Sequence, residues 1–239
     1  MTVTDPPQVV PGPWRPATVI SVHLETATAK TFRIRLPEPS AHLAGQHYIV
    51  RLTAPDGYTA SRSYSVASAP DGSSEIELTV ERLPDGEVSA FLHDEVVPGD
   101  ELQLRGPIGG WFVWRGDNPV VLIGGGSGMV PLMAMLRLAR RIGTSDMVHL
   151  LVSVREQESL YYACELPGPE STVIYTRRAP EGIARPAGRL TVQDIPDLPD
   201  GGTAYVCGSE AFAEAATDLL LSRGIPRELL RIEKFGPSG

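Results

Sequence analysis

The chain has 239 residues, a net charge of −8 and 42% apolar residues, which allow one large domain or two small ones with a substantial core. The acidic charge repels phosphate backbones and argues against binding to DNA or RNA. Two cysteines, Cys164 and Cys207, and five scattered histidines cannot supply an iron–sulfur cluster, a disulfide framework or a zinc site within this sequence.

No membrane span or secretory leader is predicted. Residues 1–16 are rich in proline and lack the apolar stretch of a signal peptide. The most apolar stretch, residues 120–138, is interrupted by four glycines and by Pro131. We therefore expect a cytoplasmic protein that does not bind membranes.

The first half predicts a β-rich domain. Apolar residues alternate with polar ones, and turn segments with proline and glycine separate these runs, as in an antiparallel barrel or sandwich. The alternating runs are 32–36, 76–80 and 102–104. One short helix is expected over residues 88–96, with Val88, Phe91, Leu92 and Val96 on its apolar face.

The second half changes character after residues 115–119, which read as a linker. We predict one domain over residues 1–115 and another over 116–239. Strands alternate with helices beyond the linker, which indicates a parallel sheet covered on both faces. Ser209 is the candidate N-cap of the last helix, whose apolar face holds Phe212, Ala215, Ala216, Leu219 and Leu220. Strands are expected at 120–123, 148–154, 172–175 and 204–207, helices at 131–142 and 210–223, and a last apolar run at 229–235.

Arg62-Ser63-Tyr64-Ser65, on a predicted strand, combines a cation, an aromatic ring and hydroxyls. Alternate strand residues share a face, so Arg62 and Tyr64 point one way and the serines the other. Such groups can stack on a flavin, pair with its phosphates and reach its N5 edge. By itself, the pattern fits a core tyrosine beside a solvated arginine better.

Two glycine-containing segments each precede a predicted helix, where free N–H groups bind phosphate. Gly86-Glu87-Val88-Ser89 is by itself more consistent with a plain turn. Gly124 to Pro131 fits neither GxGxxG nor a Walker A loop. Its five glycine and serine residues nevertheless favour a nucleotide-binding loop over a structural turn.

Two further segments lie at predicted strand ends, where ligands of open α/β sheets bind. Cys207-Gly208-Ser209 follows one strand, and Glu233-Lys234-Phe235 ends the last apolar run. A buried free cysteine and a core phenylalanine are by themselves the simpler interpretations.

In this order, the segments resemble the ferredoxin–NADP reductase family over essentially the whole chain. Residues 62–65 match its RxY[ST] flavin motif and residues 86–89 its GxxS phosphate motif. Residues 124–131 resemble its GGxGxxP nucleotide loop, with Ser127 where threonine is common. Cys207-Gly208 match its CG pair, although Ser209 replaces the proline that often follows.

Two more segments extend the resemblance. Glu233 and Phe235 resemble the C-terminal ExF segment of bacterial reductases, and residues 106–110 resemble the GPxG turn between the domains. The resemblance implies an N-terminal antiparallel six-stranded FAD-binding barrel, followed by a C-terminal Rossmann-like parallel sheet flanked by helices. It also implies hydride transfer from NADPH to FAD.

The implied roles follow the motifs. Tyr64 stacks on the flavin, Arg62 neutralises its pyrophosphate and Ser65 hydrogen-bonds near N5. Cys207 lies near the reacting carbon, and Glu233 relays a proton. Phe235 shields the other flavin face. The remaining implied cofactor contacts are Ser63, Val80, Gly86, Val88, Ser89, Gly125, Gly126, Ser127, Gly128 and Gly208.

The nucleotide preference depends on the ends of the second and third predicted strands of this half. NADH sites often place an acidic residue there, whereas a 2′-phosphate calls for arginine or serine. Ser153, Arg155 and Arg177 occupy these positions. We predict NADPH, with NADH as the second candidate, although the arginines are equally consistent with a solvated surface.

Three functions stay open. The leading one passes electrons to a separate acceptor protein, a ferredoxin or an oxygenase component, because this sequence lacks cysteines for a cluster of its own. A second is an NAD(P)H:flavin reductase that releases reduced free flavin. A third, of another class, is a non-catalytic nucleotide-binding interaction module.

Overall fold

The computed structural model describes residues 12–235. Residues 1–11, most of the proline-rich segment on which the prediction of no secretory leader rests, lie outside the described residues. The first half forms a six-stranded antiparallel sheet with strand order β4-β3-β6-β1-β2-β5. A bridge between Val66 and Leu78 joins the end of β4 to β5, so the two edge strands meet. The elements are β1 (Arg15–Thr26), β2 (Ala29–Arg35), β3 (His47–Thr53), β4 (Thr59–Ser65), β5 (Glu75–Glu81), α1 (Glu87–Asp94) and β6 (Glu101–Ile108).

The second half forms a five-stranded parallel sheet with strand order β11-β10-β7-β8-β9. Its elements are β7 (Val120–Gly125), α2 (Met129–Ile142), β8 (Val148–Val154), β9 (Ser171–Tyr175), β10 (Thr203–Ser209), α3 (Glu210–Ser222) and β11 (Leu230–Phe235). Short 3-10 turns lie at Gly126–Gly128, Ser145–Met147, Gln157–Ser159, Val192–Asp194 and Arg227–Leu229. The predicted fold class is confirmed. None of the described helices is long and apolar enough to cross a bilayer.

The central strand β7 is buried on both faces, which explains its unbroken apolar sequence. Leu122 packs in the cluster that α2 covers, whereas Val121 and Ile123 pack in the cluster that α3 covers. The α2 cluster also includes Ala67 and Trp114 from beyond the second sheet. One apolar core therefore runs across both halves.

Two predicted helix faces were partly wrong. Phe91 was assigned to the apolar face of α1, but its side chain is 46% exposed while Val88 and Leu92 are buried. On α3, Ala215 is exposed, and Ala213 lies in the core instead. The helix buries a narrower stripe than its apolar residues suggest. Ser209 caps α3 as predicted, because its Oγ accepts the Phe212 N–H at 3.4 Å.

Candidate functional site

The register of β4 places Arg62 and Tyr64 on the face that points to the first core, the apolar cluster of the first sheet that contains Val50 and Phe32. Tyr64 lies opposite Tyr48 and Arg62 opposite Val50, and both partners are buried. Burial raises the pKa of the Tyr64 phenol, so its ring is neutral at any physiological pH. The Arg62 guanidinium donates to the Ser61 carbonyl at 2.8 Å and forms no ion pair with the described residues. It remains available to an anion.

The serines of this segment face the other way. Ser63 is exposed, whereas Ser65 is buried at the end of β4, directly opposite His47 of β3. Burial lowers the pKa of His47, so the imidazole beside Ser65 is neutral at pH 7. The backbone leaves β4 immediately afterwards, and Ala67 enters the core that the two halves share.

The segment at the start of α1, residues 86–89, is held by local hydrogen bonds of Ser89. Ser89 is buried, and its Oγ donates to the Gly86 carbonyl at 3.1 Å and accepts the Leu83 N–H at 3.2 Å. Gly86 has no room for a side chain, because a Cβ there would lie 2.3 Å from that Oγ. The first turn of α1 has no side-chain cap, which leaves its backbone N–H groups for a ligand. Val88 and Val80 are both 1% exposed in the first core.

The glycine segment at the end of β7, residues 124–128, divides into two kinds of position. Packing determines Gly125 and Gly128, because a Cβ on Gly125 would meet the Phe212 ring at 2.8 Å, and one on Gly128 would lie 2.2 Å from the Cys207 carbonyl oxygen. Gly126 differs, since it is exposed, has a φ of +57° and faces open space. Packing therefore explains Gly125 and Gly128, whereas Gly126 has no packing reason to be glycine and fits a nucleotide-binding loop. The partly exposed Ser127 follows it.

Cys207 and Glu233 are direct partners on the parallel strands β10 and β11. The thiol is fully buried, and its pKa is raised by burial first and by the Glu233 charge second. Burial also raises the pKa of the Glu233 carboxyl to about 7. Its Oε2 is buried without any hydrogen-bond partner among the described residues. Gly124 pairs with Cys207 on the other side, so the thiol lies between the glycine segment and the carboxyl.

Two phenylalanines border this edge of the sheet. Phe235 ends β11 opposite Ser209 and packs against the core that contains Ala67. Phe212 has a role that the sequence analysis missed: its ring lies against both Gly125 and Gly208. Helical periodicity places Phe212 on the apolar face of α3. The sequence signal for its actual position is the pair of glycines, Gly125 and Gly208, that make room for its ring.

The predicted nucleotide-selecting residues lie at the ends of neighbouring strands. Ser153 is buried beside Gly125, and the Arg155 carbonyl accepts the Arg177 N–H at 2.9 Å. The Arg155 and Arg177 side chains are exposed and form no ion pair with the described residues. Arg178, by contrast, pairs with Glu156 and Glu158. The two arginines are thus adjacent and available to an anion.

These observations fit a flavin and a dinucleotide. A buried carboxyl oxygen without a hydrogen-bond partner among residues 12–235 can bond to a polar group of a bound ligand. The open, left-handed backbone at Gly126 admits a phosphate where a side chain would block it. Arg62 supplies a second anion-binding group at the neighbouring sheet.

Comparisons with known proteins find two oxidoreductase domain types in this chain. An oxidoreductase FAD-binding domain matches residues 16–113, and an oxidoreductase NAD-binding domain matches residues 122–218. The chain is 30% identical over 99% of its length to a Ralstonia protein, the ferredoxin–NAD(P)+ reductase component of naphthalene 1,2-dioxygenase/salicylate 5-hydroxylase systems, and covers 72% of it. The chain belongs to the ferredoxin–NAD(P)+ reductase family.

Solved structures agree with this membership. An Amycolatopsis cytochrome P450 reductase matches with a TM-score of 0.78 and 30% identity over 94% of this chain and 71% of its own. The FAD/NAD-binding domain of a Vibrio cholerae nitric oxide dioxygenase matches with a TM-score of 0.84 and 25% identity over 93% of this chain and 99% of its own. This family member is an NAD(P)H-dependent flavoprotein oxidoreductase, and the predicted FAD and nicotinamide nucleotide are confirmed.

Proposed function

We propose that this reductase oxidises NADPH in the cytoplasm and delivers the electrons to a separate protein, a ferredoxin or the terminal component of an oxygenase. The observation that carries the proposal is the Glu233 Oε2 beside Cys207, which has no hydrogen-bond partner in the described part of the chain and lies at the sheet edge near the open Gly126. Support for the acceptor comes from the Ralstonia relative, which is itself a reductase component of oxygenase systems.

We assign FAD to residues 1–115 and the dinucleotide to residues 116–239. A flavin held there would supply the capacity to take up a hydride from a reduced nicotinamide and to release electrons to the acceptor. Tyr64 supports the flavin ring, Arg62 pairs with its pyrophosphate and Ser65 hydrogen-bonds near its N5 edge. Phe235 covers the other face of the ring until the nicotinamide replaces it.

On the nucleotide side, Gly126 and the start of α2 bind the pyrophosphate. Cys207 and Glu233 border the reacting carbon, where a carboxyl with a pKa of about 7 can hold or release a proton at neutral pH. Ser153, Arg155 and Arg177 bind the 2′-phosphate, because two guanidiniums without an ion pair to any described residue suit a dianion. Ser89 contributes by shaping the first turn of α1, while the N–H groups of that turn bind the flavin phosphate.

An anaerobic titration in the visible range tests this function. The purified protein should show a flavin spectrum that one equivalent of NADPH bleaches, and a 2Fe–2S ferredoxin added next should restore the oxidised spectrum. Added free FMN serves as the control acceptor and should be reduced far more slowly. A colourless protein after reconstitution with FAD, or preferential reduction of free FMN, would refute the proposal.

A further inference from the structure

One segment of the second half penetrates the first. Tyr162 lies between β8 and β9 in the sequence, yet it is 1% exposed and reaches the first sheet. Its φ of +55° is the only left-handed backbone angle of a non-glycine residue in the described part of the chain. A tyrosine adopts this conformation only where the surroundings impose it. Its contacts therefore show what imposes it.

The Tyr162 side chain and backbone close a ring of hydrogen bonds with three strands of the first sheet. Its hydroxyl lies 2.6 Å from the Thr79 Oγ1, which lies 2.7 Å from the Thr31 Oγ1. The Thr31 hydroxyl donates to the Glu25 Oε1 at 2.7 Å, and the Glu25 Oε2 accepts the Tyr162 N–H at 2.8 Å. The ring thus begins and ends at one residue.

The direction of every hydrogen bond in this ring is determined. A carboxylate only accepts, so the single Thr31 proton goes to Glu25. Thr79 must then donate to Thr31, and Tyr162 must donate to Thr79. Each threonine hydroxyl donates once and accepts once, which polarises the chain in one sense and strengthens its bonds together.

Arg137 of α2 forms the second connection. Its guanidinium lies 4.8 Å from the Tyr162 ring centroid and donates to the Glu77 carboxylate of β5 at 2.8 Å and to the Glu165 carboxylate at 2.5 Å. It also donates to the Ala67 carbonyl at 3.0 Å. Ala67 lies two residues beyond Ser65, and α2 begins directly after the glycine segment. The Arg137 side chain therefore connects the chain just beyond β4 to α2, the helix that follows the glycine segment.

We propose that Tyr162 and Arg137 are positioning residues that fix the angle between the two sheets, and with it the approach of the nicotinamide to the flavin. This inference rests on the proposed function for the transfer step, but the fixed angle is a property of the protein without nucleotide. Neither residue touches the reacting atoms. Hydride transfer is steep in distance and orientation, so a small rotation between the sheets slows it while leaving each binding site intact.

Two variants remove the connections with little change in volume. Tyr162→Phe removes the hydroxyl that starts the chain. In Arg137→Lys, an ammonium on a flexible stem cannot reproduce the guanidinium fork at Glu77, Glu165 and Ala67 together. Matched controls are Thr217→Val, which removes a buried hydroxyl bond inside α3, and Arg223→Lys, which changes the exposed pair with Asp197.

Rapid mixing of the FAD-bound protein with saturating NADPH measures hydride transfer directly. We expect both test variants to reduce flavin about tenfold more slowly, with nucleotide Kd and flavin retention within about twofold of wild type. The effects of Tyr162→Phe and Thr79→Val should be non-additive, because both remove the same hydrogen bond. The controls should keep the wild-type rate.

Small-angle scattering without nucleotide gives the second readout. We expect the scattering curves of the two test variants to depart from that of wild type, and those of the controls to superimpose on it. Unchanged rates and unchanged scattering in the two test variants would overturn the inference. So would rate losses proportional to the loss of thermal stability in the test variants and in Thr217→Val alike. If wild type binds flavin but NADPH does not reduce it, the proposed function fails, while the scattering result still decides whether the residues fix the angle.

Discussion

The fully buried Cys207 thiol and the partly buried Glu233 carboxyl are nearest neighbours across two parallel strands, at the sheet edge that we assign to the dinucleotide. Neither strand pattern suggests this pairing alone, because β10 and β11 are separated in the sequence by the whole of α3. The parallel register aligns them, and burial then raises the pKa of both groups.

The raised pKa of Glu233 makes stability depend on pH. The folded carboxyl titrates at about 7 and the unfolded one near 4.5, so the folded protein holds the proton more tightly. Protonation of Glu233 therefore contributes on the order of 3 kcal/mol to the free energy of unfolding below pH 4.5, and this contribution is lost as the pH rises to about 7. Urea unfolding of flavin-free protein should show this decline between pH 5 and 8 in wild type and not in Glu233→Gln. Parallel profiles for the two proteins would count against it.

Tyr64 should determine how tightly the flavin is held. Tyr64→Ala removes the ring and should weaken FAD binding by roughly 2 kcal/mol, about thirtyfold in Kd. Tyr64→Phe keeps the ring and should change Kd by less than about threefold. Fluorescence titration of the flavin-free protein measures both constants. Equal losses in the two variants would assign the effect to the hydroxyl instead.

Two glycines of one loop should respond differently to alanine. At Gly128 the added Cβ would collide with the Cys207 carbonyl, so Gly128→Ala should lose about 3 kcal/mol of folding stability. At Gly126 the space is open, and Gly126→Ala should lose only about 1 kcal/mol for its left-handed backbone. That variant should instead raise the KM for NADPH with flavin content unchanged. Thermal unfolding and steady-state kinetics distinguish the two, and similar midpoints would contradict the packing argument.

Arg155 should distinguish the two nucleotides. Arg155→Ala should lower kcat/KM for NADPH about tenfold, the cost of one charge-assisted hydrogen bond, and leave NADH within about twofold. Arg178→Ala is the matched control, because Arg178 is already paired with Glu156 and Glu158. A wild type that prefers NADH would end the case for a 2′-phosphate site.

Much of the fold is predictable because its signals are local. Residues 148–154 form β8 as predicted, and Ser209 caps α3, since strand periodicity and capping depend on neighbours in sequence. The contacts of Phe212 with two glycines, and the ring through Tyr162, depend on how distant elements meet. No periodicity in the sequence predicts that a tyrosine between β8 and β9 forms a hydrogen bond with Thr79 of the first sheet.

The apolar core shared by the two halves and the ring of hydrogen bonds through Tyr162 also determine how the protein unfolds. Leu122 and Met133 from the second half and Ala67 and Trp114 from outside its sheet belong to one apolar cluster. Opening either half would expose the buried side of the other and leave hydroxyls without partners. The reductase should consequently melt in a single cooperative step, rather than as two modules with separate midpoints.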